Sequence, residues 1–368
     1  MSTPTLFSPI QLGPLALPNR IFMAPLTRCR ASEGHLPNDL NVEYYTQRAS
    51  AGLIISEATS VSPRGYGYPN TPGIHTQAQV EGWRKITDSI HAKGGHIYLQ
   101  LWHVGRISHP SYQEDGTQPV APSAIKPKGQ VFTGTAMEEY VTPRALETDE
   151  IPGIVAEYVH GARLAKEAGF DGVEIHNANG YLLDQFLRDG TNHRGDQYGG
   201  SVQNRSRLTL EVTEAVVGVW GGDRVGIRLS PGGVFNDMHD SNPVATFGHL
   251  LEELNAFDLA YAHITQATAQ DIAHGAKEGV GPQELRPFWK GSIVSAGGFN
   301  LESGNAALAE GWADAIAFGV PFLANPDLPE RFHRNAPLNP PDEASFYGGT
   351  EKGYTDYPAL WQQALYGS

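Results

Sequence analysis

The stretch "DGVEIHNANGYLLDQFL" (residues 171–187) turns from a buried β-strand into an amphipathic helix within a few residues. Apolar and polar residues alternate in its first half, and leucines recur at helical spacing in its second half. A strand that leads straight into a helix is the repeating unit of a parallel α/β fold. The turn between the two halves carries His176, Asn179 and Tyr181, so polar side chains gather at the carboxyl end of this strand.

Seven other segments of strand length are rich in β-branched or aromatic residues. They are "RIFMAP" (20–25), "LIISEA" (53–58), "HIYLQLW" (96–102), "RVGIRLS" (224–230), "LAYAHIT" (259–265), "SIVSAGG" (292–298) and "AIAFGV" (315–320). Helical patterns separate these segments. Eight strands that alternate with helices predict a (β/α)8 TIM barrel, because eight is the number of strands that closes this fold.

Some helix ends are marked by their residue types. Helical patterns at 80–94 and 151–170 run into glycines, which are common helix stops. Ser201 is the expected N-cap of a helix over 201–220. Asn325 is the expected N-cap of a helix over 325–335, with proline at its first position.

The chain has 368 residues, which exceeds the ~250 residues typical of this barrel. We assign residues 1–368 to one TIM-barrel domain and place the surplus in three segments. An N-terminal cap before Arg20 is expected to form a hairpin, and a Pro- and Tyr-rich tail follows Ala336. A polar excursion over 103–145 follows the third strand; it is either a lid over the active face or a passive excursion.

Composition argues against several classes of partner. The net charge is −14 and no basic stretch is present, which disfavours nucleic acid and anionic membranes as partners. The single cysteine, Cys29, excludes an intramolecular disulfide and is expected to be a buried thiol. The first residues lack a signal-peptide pattern, and no apolar run approaches the ~18 residues of a membrane helix. We therefore expect a cytoplasmic protein.

The carboxyl ends of barrel strands carry the catalytic groups of this fold. Here they offer neutral hydrogen-bonding groups, aromatic rings, one arginine and two glycine turns. No lysine ends a strand, which disfavours a Schiff-base aldolase, and the few carboxylates leave a metal hydrolase without ligands. We therefore expect no metal site. The set suits a planar heterocycle with a phosphate tail.

The phosphate prediction depends on the turns "AGGFN" (296–300) and "FGVPFLANP" (318–326), after strands seven and eight. Glycine turns that lead towards helix N-termini present backbone N–H groups to an anion. The alternative is that these glycines only permit tight turns between strand and helix.

Arg228 is the only charged residue that the alternation of "GIRLS" directs into the barrel. A charge in a barrel interior must be paired or must bind a ligand. Glu174 also points inward, so a salt bridge to Glu174 and a bound ligand are both open interpretations, and the two are compatible.

His176 and Asn179 are two neutral donors that could converge on one acceptor, such as a carbonyl oxygen. Tyr181 keeps its proton at neutral pH and could act beside them as an acid. A satisfied histidine, a capping asparagine and a packing tyrosine are the alternative, although their joint position at a strand end favours a functional role.

Long motifs in the chain resemble the Old Yellow Enzyme family of FMN-dependent ene-reductases, near its branch of pentaerythritol tetranitrate and N-ethylmaleimide reductases. The resemblance runs nearly from end to end. The matching motifs are "NRIFMAPLTR" (19–28), "YYTQRASAGLIISEAT" (44–59), "QLWHVGRISHP" (100–110), "GVEIHNANGYLLDQFL" (172–187), "DQYGGSVQNRSRL" (196–208), "GIRLSP" (226–231), "FLANPDL" (322–328) and "SFYGGTEKGYTDYP" (345–358).

The resemblance implies non-covalent FMN and a role for each matching residue. Thr27 would bond near the flavin O4, Gln100 would bind the pyrimidine edge, and Arg228 would lie at N1/O2. His176 and Asn179 would hold the substrate carbonyl oxygen, and Tyr181 would protonate the α-carbon. The other expected cofactor-binding residues are Pro25, Leu26, Ala58, Ala296, Gly297, Gly298, Phe318, Gly319 and Val320. The expected substrate-pocket residues are Tyr68, Trp102 and Tyr347.

The implied reaction is a ping-pong hydride transfer from NADPH, with NADH as the alternative, to the C=C bond of an α,β-unsaturated carbonyl or nitro compound. The family implies a small-molecule substrate and a monomer or homodimer. Two other hypotheses stay open from the residues alone: a different barrel enzyme, such as a phosphosugar isomerase or metal hydrolase, and a flavin-binding protein without turnover.

Val320 departs from the family pattern, because close relatives usually carry an arginine there that meets the FMN phosphate. The missing charge-assisted contact predicts either weaker FMN retention or a substitute cation from elsewhere in the chain.

Overall fold

Eight parallel strands close into a barrel in the computed structural model, which describes residues 3–362. The strands, in order, are Ile21–Met23, Ile54–Ile55, Ile97–Trp102, Gly172–Asn177, Val225–Leu229, Tyr261–Thr265, Ile293–Ala296 and Ala315–Phe318. Each pairs with the next along the chain, and the eighth returns to the first, where Ile316 pairs with Ile21. The predicted TIM barrel is confirmed. A short extra strand, Thr59–Ser60, runs parallel to the end of the third.

Helices connect the strands and cover the barrel. The α-helices are Asp39–Gln47, Gln77–Ala92, Ile151–Glu167, Leu182–Leu187, Val202–Trp220, Pro243–Leu254, Ala269–Ala273, Pro282–Leu285, Leu301–Glu310, Val320–Ala324 and Leu328–His333. Short 3₁₀ turns lie at Glu33–His35, Pro63–Gly65, Pro110–Tyr112, Thr148–Glu150, Gly222–Arg224, Asn255–Phe257, Arg286–Phe288 and Glu343–Ser345. Within residues 3–362, no helix is both long and apolar enough to cross a membrane.

Strand alternation divides the core into two parts. Outward side chains such as Val173 and Ile227 are fully buried in the layer shared with the helices. Inward side chains near the strand starts, such as Tyr98 and Tyr261, fill the lower barrel. The first residue of the fourth strand, Gly172, has to be a glycine, because a Cβ at that position would collide with the Tyr98 ring.

The predicted N-terminal hairpin is present and consists of Ile10–Leu12 and Leu15–Leu17 in antiparallel pairing. Its apolar side chains are buried in the same cluster as Tyr98 and Tyr261, near the starts of the strands. The hairpin therefore covers the end of the barrel that is opposite to the expected site.

The predicted excursion follows the third strand. Gln130–Phe132 and Met137–Glu139 form an antiparallel hairpin, and Val120–Ala121 pairs with Arg144–Ala145. Val131 and Tyr140 are buried in a cluster that also holds Trp102, at the carboxyl end of the third strand. The excursion thus packs at the carboxyl ends of the strands, where the site is expected, and its movement as a lid stays a prediction.

One predicted cap is observed and one is wrong. The Ser201 hydroxyl accepts the N–H of Asn204 at 3.3 Å, as an N-cap does. Asn325 does not cap the helix Leu328–His333, which begins after Asp327. Its side chain donates to the carbonyl of Pro321 at 2.8 Å and accepts the N–H of Asn339 at 2.7 Å, so these longer-range contacts occupy the groups that a cap would use.

Candidate active site

A cavity of about 290 Å³ opens at the carboxyl ends of the barrel strands. Nine of the predicted site residues line it: Pro25, Leu26, Thr27, Tyr68, Asn179, Tyr181, Arg228, Val320 and Tyr347. The structure therefore brings together residues from the first, fourth, fifth and eighth strand ends with residues from two distant loops.

The other predicted residues lie around this cavity. Trp102 and Ala58 share a buried cluster with Tyr181, and the ring of His176 lies 5.0 Å from the ring of Tyr181. Gln100 lies deeper in the barrel and is bonded to Glu174. The residues at the ends of strands seven and eight that do not line the cavity are Ala296, Gly297, Gly298, Phe318 and Gly319.

His176 occupies an inward position on the fourth strand and is paired in register with Arg228 on the fifth. Its side chain is buried, and its Nδ1 makes no hydrogen bond to any residue within 3–362. Burial, followed by the nearby Arg228 guanidinium, holds the pKa of His176 well below its ordinary value. At neutral pH it is therefore an uncharged imidazole with one N–H to donate.

Asn179 has a left-handed backbone with φ of 58°, which asparagine tolerates better than most residues. Its N–H donates to the Ser230 hydroxyl at 2.7 Å, and its carbonyl accepts from the Asn236 amide at 2.8 Å. These two bonds hold the turn in place. The side-chain amide lines the cavity and has no hydrogen-bond partner in the described part of the chain.

Tyr181 lies between aromatic neighbours at the base of the cavity. Its ring packs edge-on against Trp102 at 5.1 Å and against His176 at 5.0 Å. Its hydroxyl lies 2.9 Å from the hydroxyl of Tyr68. Burial raises the pKa of Tyr181 further above its ordinary value, so the phenol keeps its proton at neutral pH.

Glu174 anchors a hydrogen-bonded layer below the cavity. It accepts from the Gln100 amide at 2.8 Å, the Tyr261 hydroxyl at 3.0 Å and the His263 Nδ1 at 2.9 Å. Burial works against its charge, but these donors and the Arg228 guanidinium together hold the pKa of Glu174 below its ordinary value. A buried carboxylate with three donors is well satisfied.

Arg228 makes no ion pair or hydrogen bond with any residue that the structure describes, and its Nε is buried. The direct salt bridge to Glu174 is therefore not observed, because Glu174 uses its oxygens on other donors. Burial lowers the pKa of Arg228 below its ordinary value, and the more distant charge of Glu174 offsets only part of this shift. An unpartnered guanidinium at a cavity wall is suited to an anionic or electron-rich ligand.

The residues of the site fit a flavin mononucleotide. Arg228 and the Thr27 hydroxyl both line the cavity without a partner among residues 3–362. Gly297 and Gly298 have φ of 117° and 73°, a backbone that favours glycine and that turns the chain tightly after strand seven. Gly319 packs so closely on the loop after strand one that a Cβ there would lie 3.3 Å from Leu26.

Position 320, where the FMN phosphate is expected, carries no basic side chain. Val320 is 41% exposed at the start of the helix Val320–Ala324. Among the described residues that line the cavity, the only basic ones are Arg28 and Arg228. Arg28 donates through Nε and Nη2 to the carbonyls of Phe346 and Gly353 in the tail, and its Nη1 is buried without a partner among residues 3–362. Among the described residues that line this cavity, no clear substitute is present for the arginine that the family resemblance predicts at position 320.

Four residues of the cavity wall were not predicted: Arg28, Phe235, Leu323 and Phe346. Arg28 directly follows Thr27 in the motif "NRIFMAPLTR" (19–28), so its place in the sequence could have indicated that it lies near the site. Phe235 and Phe346 come from a loop and from the tail, where no periodicity indicates which side chains face the site. Within residues 3–362, no cluster of three or more histidine, cysteine or acidic side chains could hold a metal ion.

Known proteins share much of the sequence and the overall fold of this chain. Residues 5–339 match the model of the NADH:flavin oxidoreductase / NADH oxidase family. The chain is 47% identical to 12-oxophytodienoate reductase 1 of Oryza sativa subsp. japonica, over 96% of this chain and 93% of that protein.

Two solved structures superpose closely on the chain. Morphinone reductase in complex with tetrahydroNAD is 52% identical, with a TM-score of 0.91 and coverage of 97% of this chain and 98% of that one. An old yellow enzyme homologue from Zymomonas mobilis is 47% identical, with a TM-score of 0.94 and coverage of 97% and 100%.

Proposed function

Because this chain belongs to the NADH:flavin oxidoreductase / NADH oxidase family and is an Old Yellow Enzyme type oxidoreductase, we propose that it reduces the activated C=C bond of α,β-unsaturated carbonyl compounds. One observation carries the proposal: two neutral donors without partners, His176 and Asn179, lie beside the protonated phenol of Tyr181 and the unpaired Arg228. This combination suits an acceptor that develops negative charge on oxygen and then takes up a proton.

FMN is the proposed cofactor; Thr27, Gln100 and Arg228 would hold it non-covalently, and the turns after strands seven and eight would bind its phosphate. When bound, FMN supplies hydride transfer, first from a reduced nicotinamide nucleotide and then to the β-carbon of the acceptor. Arg228 favours negative charge near it, because its guanidinium has no competing partner in the described residues. Gln100 is oriented for this task by its bond to Glu174.

His176 and Asn179 would bind the carbonyl oxygen of the acceptor and stabilise the negative charge that forms there. Both are uncharged donors, so binding needs no prior proton transfer. Preorganised donors of this kind contribute ~3 kcal/mol each to transition-state stabilisation. The backbone bonds of Asn179 to Ser230 and Asn236 keep its side chain ready before the acceptor arrives.

Tyr181 would deliver the proton from its hydroxyl to the α-carbon of the acceptor. Its raised pKa keeps the proton on the phenol until charge develops on the acceptor. Tyr68, with its hydroxyl 2.9 Å away, would pass its proton to the Tyr181 phenolate and take up a replacement proton from solvent, so that both phenols end protonated. The buried rings of Trp102 and Tyr181 limit water at the reacting atoms.

The proposed reductant is NADPH, with NADH as the alternative, in a ping-pong sequence. A relative of this chain has been solved with tetrahydroNAD, which supports a nicotinamide nucleotide of either kind. Nitro-olefins are a proposed second class of acceptor, because nitro oxygens can accept hydrogen bonds from the same two donors.

The proposal is tested by the colour and turnover of the purified protein. Bound oxidised flavin gives a yellow protein, whereas a phosphosugar isomerase or metal hydrolase would be colourless. NADPH and NADH, added separately without oxygen, should bleach it, and 2-cyclohexenone should restore the colour. Bleaching without recovery by any enone or nitro-olefin would leave a flavin protein without this activity, and the proposal would be wrong.

A further inference from the structure

A second cavity of about 450 Å³ adjoins the candidate active site. Tyr68 and Tyr347 line both cavities, and Tyr68 contacts the proposed acid Tyr181 through its hydroxyl. We call this second cavity the annex. The residues that define it are Cys29, Tyr68, Val131, Met137, Tyr140 and Tyr347.

The wall of the annex is largely apolar and carries no charged residue, with Asn70 and Gln130 as its amide side chains. Val131 and Tyr140 contribute buried side chains from the excursion, and Cys29 contributes a buried thiol from the first βα loop. None of the lining residues, all of which belong to the described part of the chain, is Lys, Arg, Asp or Glu. A ligand that enters the annex is therefore stabilised mainly by burial of apolar surface and by aromatic contacts.

Exposed apolar side chains concentrate at this end of the barrel. Within residues 3–362, seven large hydrophobic side chains are exposed. Five of them line the annex or the candidate active site: Phe132, Met137, Phe235, Val320 and Tyr347. Exposed apolar patches on soluble proteins commonly mark ligand-binding grooves. The two cavities thus form one continuous surface, with polar groups at one end and apolar groups at the other.

We propose that the annex binds an apolar extension of the acceptor, so that the preferred substrates are enones with a long alkyl or aryl substituent. This inference rests on the proposed function, because His176 and Asn179 must hold the carbonyl for the substituent to reach past Tyr68. The volume of the annex lies within the ~300–1,000 Å³ range of small-molecule pockets.

The nicotinamide nucleotide fits the annex less well than an apolar substituent. Its diphosphate would need cationic partners, and the annex wall contains none among the described residues. On the strand that carries Met137, Glu139 is exposed and accepts from Lys126 at 2.7 Å, so the charge of this lysine is already paired and not free for a diphosphate.

The test compares 2-cyclohexenone with 2-cyclohexenones that carry n-alkyl chains of increasing length, in the reoxidation of the NADPH-reduced holoenzyme. The wild type should gain about fourfold in specificity constant for each methylene group that the annex buries. Met137→Glu places a charge at the rim, on a side chain that is 56% exposed, so folding is little affected. Val131→Phe fills the annex from its buried side.

Both variants should lose the dependence on chain length and keep wild-type reoxidation by 2-cyclohexenone. Leu338→Glu is the matched control, because Leu338 is 43% exposed and lines neither cavity. A wild type that is indifferent to chain length, or variants that keep the dependence, would overturn the annex proposal alone. If Met137→Glu slowed reduction by NADPH but left the chain-length dependence intact, the annex would bind the reductant and the annex proposal would be wrong. Failure of every enone, including 2-cyclohexenone, would overturn the proposed function as well.

Discussion

Val320 occupies the position at which the family resemblance predicts a phosphate-binding arginine, and substitution tests the consequence directly. The side chain is 41% exposed, so an arginine fits without disturbing the core. We expect Val320→Arg to tighten FMN binding, because hydrogen bonds to charged groups contribute ~1.5–3 kcal/mol. That corresponds to roughly ten- to a hundredfold in the dissociation constant, measured by titration of the apoprotein with FMN. Val320→Gln is the uncharged control. No gain with arginine would mean that another group already binds the phosphate.

His176 should act as a neutral donor over the physiological pH range. Burial and Arg228 hold its pKa well below the ordinary value, so it carries no charge at neutral pH. His176→Ala should slow reoxidation by enones by ~10²–10³-fold, and His176→Asn, which keeps a donor, should retain more activity.

Wild-type reoxidation rates should not change between about pH 6 and 8, a range that spans the pKa of ~6.5 of free histidine. An inflection in that range would indicate that the imidazolium is the active form.

Tyr181 should matter for only one of the two half-reactions. Tyr181→Phe removes the proposed acid but keeps the ring contacts with Trp102 and His176. Reoxidation by 2-cyclohexenone should slow by ~10²–10⁴-fold, and reduction by NADPH should change little. Stopped-flow absorbance measures the two steps separately. Equal effects on both would point to a general disturbance of the site and not to a proton donor.

At the scale of elements, the tail is held to the barrel by a group of aromatic and arginine side chains. The buried Tyr354 ring stacks on Tyr44 at 4.1 Å, and the Arg28 and Arg30 guanidinium carbons lie 5.1 and 4.5 Å from its centre. The same arginines donate to backbone carbonyls of the tail, which carries Tyr347 into the site. The tail thus contributes to the wall of the candidate active site.

Loss of the Tyr354 ring should loosen this element. We expect Tyr354→Ala to lower the free energy of unfolding by ~3–5 kcal/mol, as for other buried aromatic side chains, and to raise the KM for enones. Tyr354→Phe is the matched control. It keeps the stacking and loses only the hydrogen bond that its hydroxyl accepts from Asn41 at 2.8 Å, which is worth ~1 kcal/mol. Denaturant unfolding and enone kinetics measure both effects; an unchanged KM in the alanine variant would remove the tail from the site.

Element boundaries were predictable where the contacts that set them are local. Ser201 caps its own helix through a residue three positions away, and that pattern is visible in the sequence. Asn325 has the same residue type and a neighbouring proline, yet its partners are Pro321 and Asn339. The latter contact depends on where the tail packs, so local sequence could not reveal it.

At the scale of the whole molecule, Glu57 should couple stability to pH. Burial raises the pKa of its carboxyl from 4.5 to about 7, although the Tyr45 hydroxyl donates to it at 3.0 Å. Because the native state then holds this proton more tightly than the unfolded state, Glu57 costs stability as the pH rises from about 4.5 to 7. The cost over that range is about 3 kcal/mol, at 1.36 kcal/mol per pKa unit.

Glu57→Gln removes this titration, so its free energy of unfolding should increase relative to the wild type by about 3 kcal/mol between pH 4.5 and 7. Chemical denaturation of both proteins across that range measures the difference. Glu302→Gln, at an exposed helix position, is the control and should follow the wild type. A constant difference between wild type and Glu57→Gln would show that Glu57 stays charged in the folded protein.

The barrel and the identity of its polar strand ends were determined by the sequence alone, because strand alternation is local and sends Glu174, His176 and Arg228 to the same side. The long motifs added the family. Only the tertiary structure decided which charges are paired: Glu174 is satisfied by three donors from two other strands, the third and the sixth, and Arg228 is left for a ligand. It also brought the excursion and the tail over the site to form the annex. Such contacts join residues that are far apart in the chain, and their geometry follows from the packing of the whole barrel.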